Sequence, residues 1–301
     1  MRHLINLLNL NEDEFFGILK RGREHAANRR LNPDVLRDKI IALIFEKSST
    51  RTRISFSVAI RELGGSDLEM QAGSLQLGRG ETIEDTTMVL GRYVHGVMIR
   101  TDSHRKLELM AGLDQVPIIN GLSDRHHPCQ ALADFMTITE TGRDLSKTRI
   151  AFIGEPNNVF NSLALGTLHS GSSLCVASPE GYEIRPGIQE LLRKRNKTID
   201  VYRDPVEAVR QADVIYTDVW ISMGQEGEAE IRKKDFAPYS VNEALMKHAP
   251  ADAIVMHCLP AHRGEEISGD VMDRHAATIF RQAENRLHVQ KALLEWIYEA
   301  I

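Results

Sequence analysis

The sequence predicts an α/β fold of two doubly wound parallel-sheet domains that face each other across a cleft and are joined by helices. Three observations support this prediction. Short apolar runs rich in β-branched residues recur along the chain, helical patterns separate them, and the strand pattern restarts after a long apolar helix near the middle. A length of 301 residues also favours two cores over one. We expect residues 1–133 with a C-terminal helix at 285–301 to form one domain, and residues 134–284 the other.

The elements of the predicted first domain begin with a helix. Asn11 and the acidic residues after it open this helix, which runs to about Asn28, because acidic side chains suit a helix N-terminus. Ile40–Glu46 is apolar and β-branched at its start, which predicts a buried strand. A helical stripe starts at Ile54, and Gly64-Gly65 ends it. The remaining predictions are a helix over Glu81–Arg92 and strands over Val94–Arg100 and Val116–Asn120.

The predicted second domain follows Cys129–Thr141, a long helix introduced by His127-Pro128 that is our candidate connection between the domains. Arg149–Gly154 restarts the pattern as a new first strand. Glu284–Tyr298 predicts a last amphipathic helix that returns to the first domain. The other predicted elements are strands over Ser173–Ala177, Asp213–Asp218 and Ala253–His257, and helices over Pro186–Lys194 and Pro205–Ala212.

Composition and charge exclude several functional classes. The 37 basic and 42 acidic residues give a formal charge of −5, and no basic tract or face indicates nucleic-acid or membrane binding. No apolar run approaches the ~20 residues that span a bilayer, and the N-terminus lacks the features of a secretory signal. Cys129, Cys175 and Cys258 are too widely separated for a disulfide framework. We therefore expect a cytoplasmic protein that binds neither nucleic acid nor membrane.

The segment between the first strand and its helix carries the strongest functional signal. Lys47–Arg53 brings several hydroxyl side chains and two arginines, Arg51 and Arg53, to a helix N-terminus. The unsatisfied N–H groups and the dipole of the helix favour an anion there, and guanidinium groups suit phosphate oxygens. Ordinary capping by serine or threonine explains the same residues equally well. The P-loop pattern is absent.

Polar residues follow other predicted strands or open a helix. Arg100 ends a strand and can reach a phosphate or a developing oxyanion, although a surface arginine is the simpler interpretation. His127 can polarise a carbonyl group and Gln130 can bind an amino group, but a capped helix with one exposed histidine is the alternative. The turn leading to Asn158 has one glycine, which does not fit a dinucleotide fingerprint, and its asparagines offer neutral hydrogen bonds.

Asp218 follows a predicted strand of the second domain. Its carboxylate can hold an ammonium group, while backbone N–H groups near Ser222 and Met223 hold a carboxylate. Together these groups would recognise an α-amino acid. An acidic loop without a ligand is an equally good interpretation.

Cys258 ends the last predicted strand, directly after His257. We considered Cys258 as a nucleophile with His257 as its base, but adjacent strand residues point to opposite faces. A zinc site made of Cys258, His257 and His262 has none of the usual ligand spacings. A polar contact near a reacting amine is the milder role for Cys258.

Together these segments resemble the aspartate/ornithine carbamoyltransferase family, and its ornithine branch in particular. They span most of the chain; the first is shared across the family, and the Asp218 and Cys258 segments resemble the ornithine branch. The resemblance implies that carbamoyl phosphate and L-ornithine react to give L-citrulline and phosphate, without a metal or an organic cofactor. The matching segments are Ser49-Thr50-Arg51-Thr52-Arg53, His127-Pro128-Cys129-Gln130, Asp218-Val219-Trp220-Ile221-Ser222-Met223-Gly224 and His257-Cys258-Leu259-Pro260.

The resemblance also implies a role for each matching residue. The residues that bind carbamoyl phosphate would be Ser49, Thr50, Arg51, Thr52, Gln76, Arg100, His127, Gln130 and Arg286. The residues that bind ornithine would be Asn158, Asp218, Ser222, Met223, Cys258 and Leu259. The catalytic residues among them would be Thr52, Arg100, His127 and Cys258.

The family resemblance further implies a homotrimer with sites near the subunit interfaces. Ser74–Gly80 resembles the loop that a neighbouring subunit contributes, and Gln76 stands where some relatives carry histidine.

The alternatives to this function are carbamoyl transfer to another acceptor amine or a different class of protein. Aspartate would need cations where this chain has Asp218, putrescine would not need a carboxylate pocket near Ser222, and N-acetylornithine lacks an α-ammonium group. The other classes of protein that we considered are a non-catalytic sensor of phosphate metabolites and a dinucleotide-dependent oxidoreductase.

Overall fold

The computed structural model describes residues 1–71, 80–221 and 226–299, and its strands form two separate parallel sheets. The chain divides into two compact units, one of Met1–Met136 with Asn285–Ile301 and one of Thr137–Glu284. The predicted α/β class with two parallel sheets is therefore confirmed.

The first unit is built, within the described residues, on a four-stranded parallel sheet in the order β2-β1-β3-β4. Its strands are β1 Ile40–Phe45, β2 Ser66–Gln71, β3 Gly96–Arg100 and β4 Ile118–Leu122. Its helices are α1 Glu12–Ala27, α2 Thr50–Glu62, α3 Ile83–Tyr93, α4 His104–Gly112 and α5 Pro128–Glu140, whose last residues belong to the second unit. Because β2 and β3 lie on opposite sides of β1, the direction of strand addition reverses between β1 and β3, and parallel sheets bind ligands at such a switch point.

The central strand β1 and the edge strand β2 differ in their sequences. Ile41–Phe45 of β1 is buried throughout, as expected for a parallel strand covered on both faces. The edge strand β2 is mostly exposed or half-buried and largely polar, so no apolar pattern predicts it. The helix α4, which lies between β3 and β4, was not among the predicted elements.

The second unit contains, among the described residues, a five-stranded parallel sheet in the order β7-β6-β5-β8-β9. Its strands are β5 Arg149–Ile153, β6 Ser173–Ala177, β7 Asp200–Tyr202, β8 Val214–Thr217 and β9 Ile254–His257. Its helices are α6 Asn158–Ser170, α7 Pro186–Lys194, α8 Pro205–Val209, α9 Ala229–Phe236, α10 Glu243–Met246, α11 Gly269–Arg274 and α12 Ala276–Ile297, which continues into the first unit. Strand addition reverses between β5 and β8, which is the switch point of this sheet.

Several boundaries in the second unit differ from the prediction. The last helix begins at Ala276 rather than at Glu284, because buried Ile279 extends its apolar face by more than a turn. The short strand β7 was missed because it has three residues and lies at a partly exposed edge. The helix α8 ends at Val209, before the predicted Ala212. None of the helices in the described ranges is long and apolar enough to cross a membrane.

Candidate active site

In the first unit, the segment after β1 leads into the N-terminus of α2, beside the switch point. Ser49 is the N-cap residue, and its hydroxyl accepts the backbone N–H of Thr52 at 3.3 Å. The capping interpretation is therefore correct for Ser49. It does not exclude an anion site, because a helix begins with four N–H groups that lack helical partners and one cap satisfies only part of them.

Glu46 joins this segment to the loop after β3. Its N–H donates to the carbonyl of Arg100 at 2.9 Å. Its carboxylate accepts the hydroxyl of Thr101 at 2.5 Å and the ammonium group of Lys106 at 2.8 Å. The segments after β1 and β3 are therefore fixed together on the two sides of the switch point. Arg100 lies opposite Phe45 in the register of β3 and β1, and it is buried.

Arg286 of α12 connects three of the predicted ligand-binding side chains. Its guanidinium donates to the amide oxygen of Gln130 at 2.7 Å and to the hydroxyl of Thr52 at 3.3 Å, and it lies 3.5 Å from Nε2 of His127. The amide nitrogen of Gln130 donates in turn to Asp134 at 2.8 Å. All five side chains are buried. An arginine, an imidazole, an amide and a hydroxyl thus meet in one unit, although they come from α2, α12, α5 and the residue that precedes α5.

The environment of His127 is strongly positive. Burial lowers the pKa of His127 well below its usual value, and the charges of Arg286, Arg100 and Arg51 lower it further. The imidazole is therefore neutral at pH 7, and one of its ring nitrogens can still donate a hydrogen bond. Three guanidinium groups around a neutral imidazole form a field that attracts an anion.

Arg53 does not join this cluster, although it lies in the same segment of sequence. Its guanidinium pairs with Glu69 of β2 at 3.0 Å and lies over the ring of Phe45 at 5.4 Å. Arg53 of the turn is therefore engaged with β2. This contact has no signal in the sequence, because β2 is a polar strand without an apolar pattern.

In the second unit, Asp218 follows β8 and receives hydrogen bonds from three directions. Its Oδ1 accepts the N–H of Val219 and the thiol of Cys258, each at 2.9 Å. Its Oδ2 accepts the side-chain amide of Asn157 at 2.7 Å. These contacts fix a nearly buried carboxylate at the switch point between β5 and β8, where it can hold an ammonium group.

Asn157, the residue before Asn158, contacts Asp218. Asn157 caps α6 by accepting the N–H groups of Val159 and Phe160 at 2.9 and 3.1 Å, while its amide nitrogen reaches Asp218. Asn158 is the first residue of α6. The sequence signal for Asn157 was present, since an asparagine before a helix is a common N-cap.

His257 does not act on the neighbouring Cys258. Its Nε2 lies 3.1 Å from the buried carboxylate of Glu266, and its Nδ1 accepts the N–H of Leu259 at 2.8 Å. Leu259 has a φ of +61°, so this hydrogen bond supports a left-handed backbone position that non-glycine residues rarely adopt. His257 therefore shapes the loop that presents Cys258 and Leu259, and it is not a base for the thiol.

Potential metal ligands in this region are engaged in other contacts. Asp218, His257 and Cys258 each offer one ligand atom within 4.8 Å of the others. Both ring nitrogens of His257 and the thiol of Cys258 already make the contacts given above. His262, the third residue of the zinc alternative, instead groups with Glu265 and Glu266. The predicted residues Gln76, Ser222 and Met223 lie outside the described residues.

Comparisons with known proteins match the two units separately. A family model described as the carbamoyl-P binding domain of aspartate/ornithine carbamoyltransferase matches residues 2–140, and one described as its Asp/Orn binding domain matches residues 146–297. The ornithine carbamoyltransferase of Archaeoglobus fulgidus is 48% identical over 296 residues, which cover 98% of this chain and 96% of that protein.

Solved structures agree with the sequence comparison. The ornithine carbamoyltransferase of Pyrococcus furiosus matches with a TM-score of 0.92 and 45% identity, covering 100% of this chain and 98% of that one. The anabolic ornithine carbamoyltransferase of Campylobacter jejuni matches with a TM-score of 0.93 and 38% identity, covering 100% of both chains.

Proposed function

The chain belongs to the aspartate/ornithine carbamoyltransferase family, and we propose that it transfers the carbamoyl group of carbamoyl phosphate to the side-chain amine of L-ornithine, giving L-citrulline and phosphate. The observation that carries this function is the buried cluster of Arg286, Thr52, Gln130 and His127. It supplies a cation and neutral donors together, which a carbamoyl phosphate group requires. The anabolic name of the Campylobacter jejuni relative supports a role in arginine biosynthesis.

Carbamoyl phosphate binds to the first unit in this proposal. The phosphate takes the N-terminus of α2, where Ser49, Thr50, Arg51 and Thr52 lie, and Arg286 contacts the same ligand. The carbamoyl oxygen faces Thr52, Arg100 and the neutral imidazole of His127, with Gln130 near the amino group. Each well-aimed donor of this kind contributes about 3–4 kcal/mol to the stabilisation of a developing oxyanion.

Ornithine binds to the second unit. Asp218 holds its α-ammonium group, supported by the three hydrogen bonds that fix the carboxylate. Asn158 and the backbone of Ser222 and Met223 contact the remaining α-amino acid groups. Cys258 and Leu259 lie near the side-chain amine, held there by the loop that His257 organises.

The reaction is an acyl transfer that balances without an external base. The uncharged side-chain amine attacks the carbamoyl carbon, a C–N bond forms, and the bond from that carbon to the phosphate oxygen breaks. The departing phosphate accepts the proton that the nitrogen loses. An alkylamine resembles lysine, whose pKa is about 10.4 in water, so deprotonation of ornithine precedes the attack. Bringing the two substrates together supplies a further large part of the acceleration.

Charge at the second switch point distinguishes ornithine from other acceptors. Aspartate carries a second carboxylate, which the negative charge of Asp218 would repel. N-acetylornithine has no ammonium group for Asp218, and putrescine has no carboxylate for the segment around Ser222. A sensor without activity would explain the binding groups, but it gives no reason for polar groups around both the carbamoyl oxygen and the attacking amine.

We also propose a cytoplasmic homotrimer in which a neighbouring subunit brings the segment around Gln76 to the site. Exposed apolar side chains in the first unit support a contact between copies, among them Ile54, Leu68, Met88 and Tyr93. The three cysteines, all within the described ranges, form no disulfide, which agrees with a reducing compartment.

A citrulline assay with matched arginine variants tests the function. Arg51→Met removes a cation at the N-terminus of α2, and we expect turnover to fall about 100-fold or more. Arg53→Met removes the neighbouring arginine, which pairs with Glu69, and we expect a change of a few-fold at most. Ornithine, putrescine, N-acetylornithine and aspartate are compared as acceptors at equal concentration. Absence of citrulline from the wild type with both substrates would exclude the proposal.

A further inference from the structure

Arg232 on α9 is a buried arginine that connects two loops of the second unit. Its side chain is only 5% exposed. One guanidinium nitrogen donates both to Glu155 at 2.6 Å and to the backbone carbonyl of Trp220 at 3.1 Å. A second nitrogen reaches the other oxygen of Glu155 at 3.3 Å, and Nε donates to Glu228 at 3.1 Å. A lysine has only one nitrogen and cannot make these contacts together.

The two connected loops are those that flank the switch point of the second sheet. Glu155 lies in the loop after β5, two residues before Asn157, and Trp220 lies in the loop after β8, two residues after Asp218. Asn157 and Asp218 are hydrogen bonded at 2.7 Å. The loops are therefore joined at two points, once by Asn157 and Asp218 and once by Arg232.

Packing around Arg232 makes this second connection rigid. The guanidinium carbon lies 5.3 Å from the centre of the Tyr182 ring, and the hydroxyl of Tyr182 donates to Asp235 at 3.0 Å. Trp220 is nearly buried and stacks on Phe236 with ring centres 6.3 Å apart. The pairing with Arg232 also neutralises Glu155, whose charge would otherwise add to that of Asp218 in the adjoining loop.

We propose that Arg232 is a positioning residue for the amino-acid substrate, which acts by fixing the loops that carry Asn157 and Asp218. It does not touch the substrate in this account. The inference rests on the proposed function, because it assigns Asp218 to the ammonium group of ornithine. It adds that the affinity for the amino acid depends on the ion pair between Arg232 of α9 and Glu155 after β5.

The test compares the steady-state kinetics of Arg232→Gln with those of the wild type. The apparent KM for ornithine is expected to rise about tenfold or more, the range given by loss of charge-assisted hydrogen bonds. The KM for carbamoyl phosphate is expected to stay within about twofold, because its proposed ligands lie in the first unit, and kcat is expected to change less than the KM for ornithine. Arg232→Lys retains the charge and should give an intermediate KM for ornithine.

Arg203→Gln is the matched control. Arg203 connects the loops after β6 and β7 of the same sheet by donating to the carbonyls of Ser178 and Pro179 at 2.9 and 2.8 Å and pairing with Glu183. None of the proposed substrate residues lies in those loops. Its removal should leave the KM for ornithine unchanged.

Glu155→Gln keeps the test decisive if Arg232→Gln does not fold. Its side chain is partly exposed, and the change retains an oxygen acceptor while it removes the charge. It should raise the KM for ornithine in the same direction as Arg232→Gln, and the double variant should be less impaired than the product of the single effects. The proposal would be overturned if Arg232→Gln or Glu155→Gln raised both KM values equally, or if it left both KM values unchanged and only lowered the melting temperature. The same rise in the KM for ornithine in Arg203→Gln would also overturn it. Failure of the proposed function would instead appear as a wild type that makes no citrulline.

Discussion

The two switch points of this protein have the same topology and opposite electrostatic character. In the first unit, the site between β1 and β3 contains His127, whose pKa is lowered first by burial and then by the charges of Arg286, Arg100 and Arg51. In the second unit, the site between β5 and β8 contains the carboxylate of Asp218, fixed by Asn157 and Cys258. In the proposed function, parallel-sheet topology thus sets where a ligand binds in each unit, and side-chain charge sets which ligand it is.

The means of fixing the loops also differ between the two sites. In the first unit, Glu46 joins the segments after β1 and β3 through Lys106 and Thr101, while Arg286 reaches the cluster from α12. In the second unit, Arg232 joins the loops after β5 and β8 by pairing with Glu155. The loops of the proposed anion site are therefore held by a carboxylate, and those of the proposed ammonium site by an arginine, and each linking charge has a partner of opposite charge.

Removal of the charge of Asp218 is expected to have a large effect on the KM for ornithine. Asp218→Asn keeps the shape of the side chain but loses the charge that pairs with the α-ammonium group. We expect the KM for ornithine to rise at least about 30-fold, since removal of one partner of a buried charge pair costs about 2–5 kcal/mol. The KM for carbamoyl phosphate should change little, as initial-rate measurements with each substrate varied in turn would reveal.

Asp204→Asn is the control for this prediction. Asp204 follows β7 of the same sheet and caps α8 by accepting the N–H of Val206 at 2.9 Å, away from the switch point. It should leave both KM values unchanged. If Asp218→Asn raised only the KM for carbamoyl phosphate, the assignment of the two sites would have to be reversed.

A smaller effect is expected on the pH dependence of the free energy of unfolding, to which His127 contributes. An unfolded histidine takes up a proton as the pH falls through about 6.5, whereas buried His127 stays neutral there because its pKa is lowered. The unfolded state then binds more protons, so the free energy of unfolding falls as the pH falls below about 6.5. His127→Asn should make this decline shallower, by at most about 1.4 kcal/mol per pH unit between pH 6.5 and 5.5.

Denaturant unfolding at several pH values measures this slope. The comparison between wild type and variant is made on the slopes, because asparagine also changes the packing at every pH. Identical slopes would mean that His127 does not titrate differently in the folded and unfolded states, which would contradict the effect of burial and neighbouring arginines on its pKa.

The sequence predicted the buried strands well and the exposed edges poorly. Strands such as β1 and β5 are apolar and β-branched, because helices cover both faces of a parallel sheet. The edge strands β2 and β7 pair on one side only and carry polar residues, so their sequences lack that signal.

The site could be predicted from the sequence in part. Ser49, Thr52 and Asp218 stand next to strands or helix starts, where local patterns point to them. Arg286 was assigned only through the resemblance to the family, since its contact with Gln130 joins residues 156 positions apart. Local patterns gave no signal for Arg232, because its function depends on which two loops the fold brings together.

Carbamoyl phosphate is proposed to bind at the switch point of the first unit. A crystal structure of the protein grown with carbamoyl phosphate tests this most directly. We expect phosphate oxygens within hydrogen-bond distance of Ser49, Arg51 and Thr52 at the N-terminus of α2, and the carbamoyl oxygen facing His127. Density for the compound beside Asp218, with the N-terminus of α2 unoccupied, would contradict it.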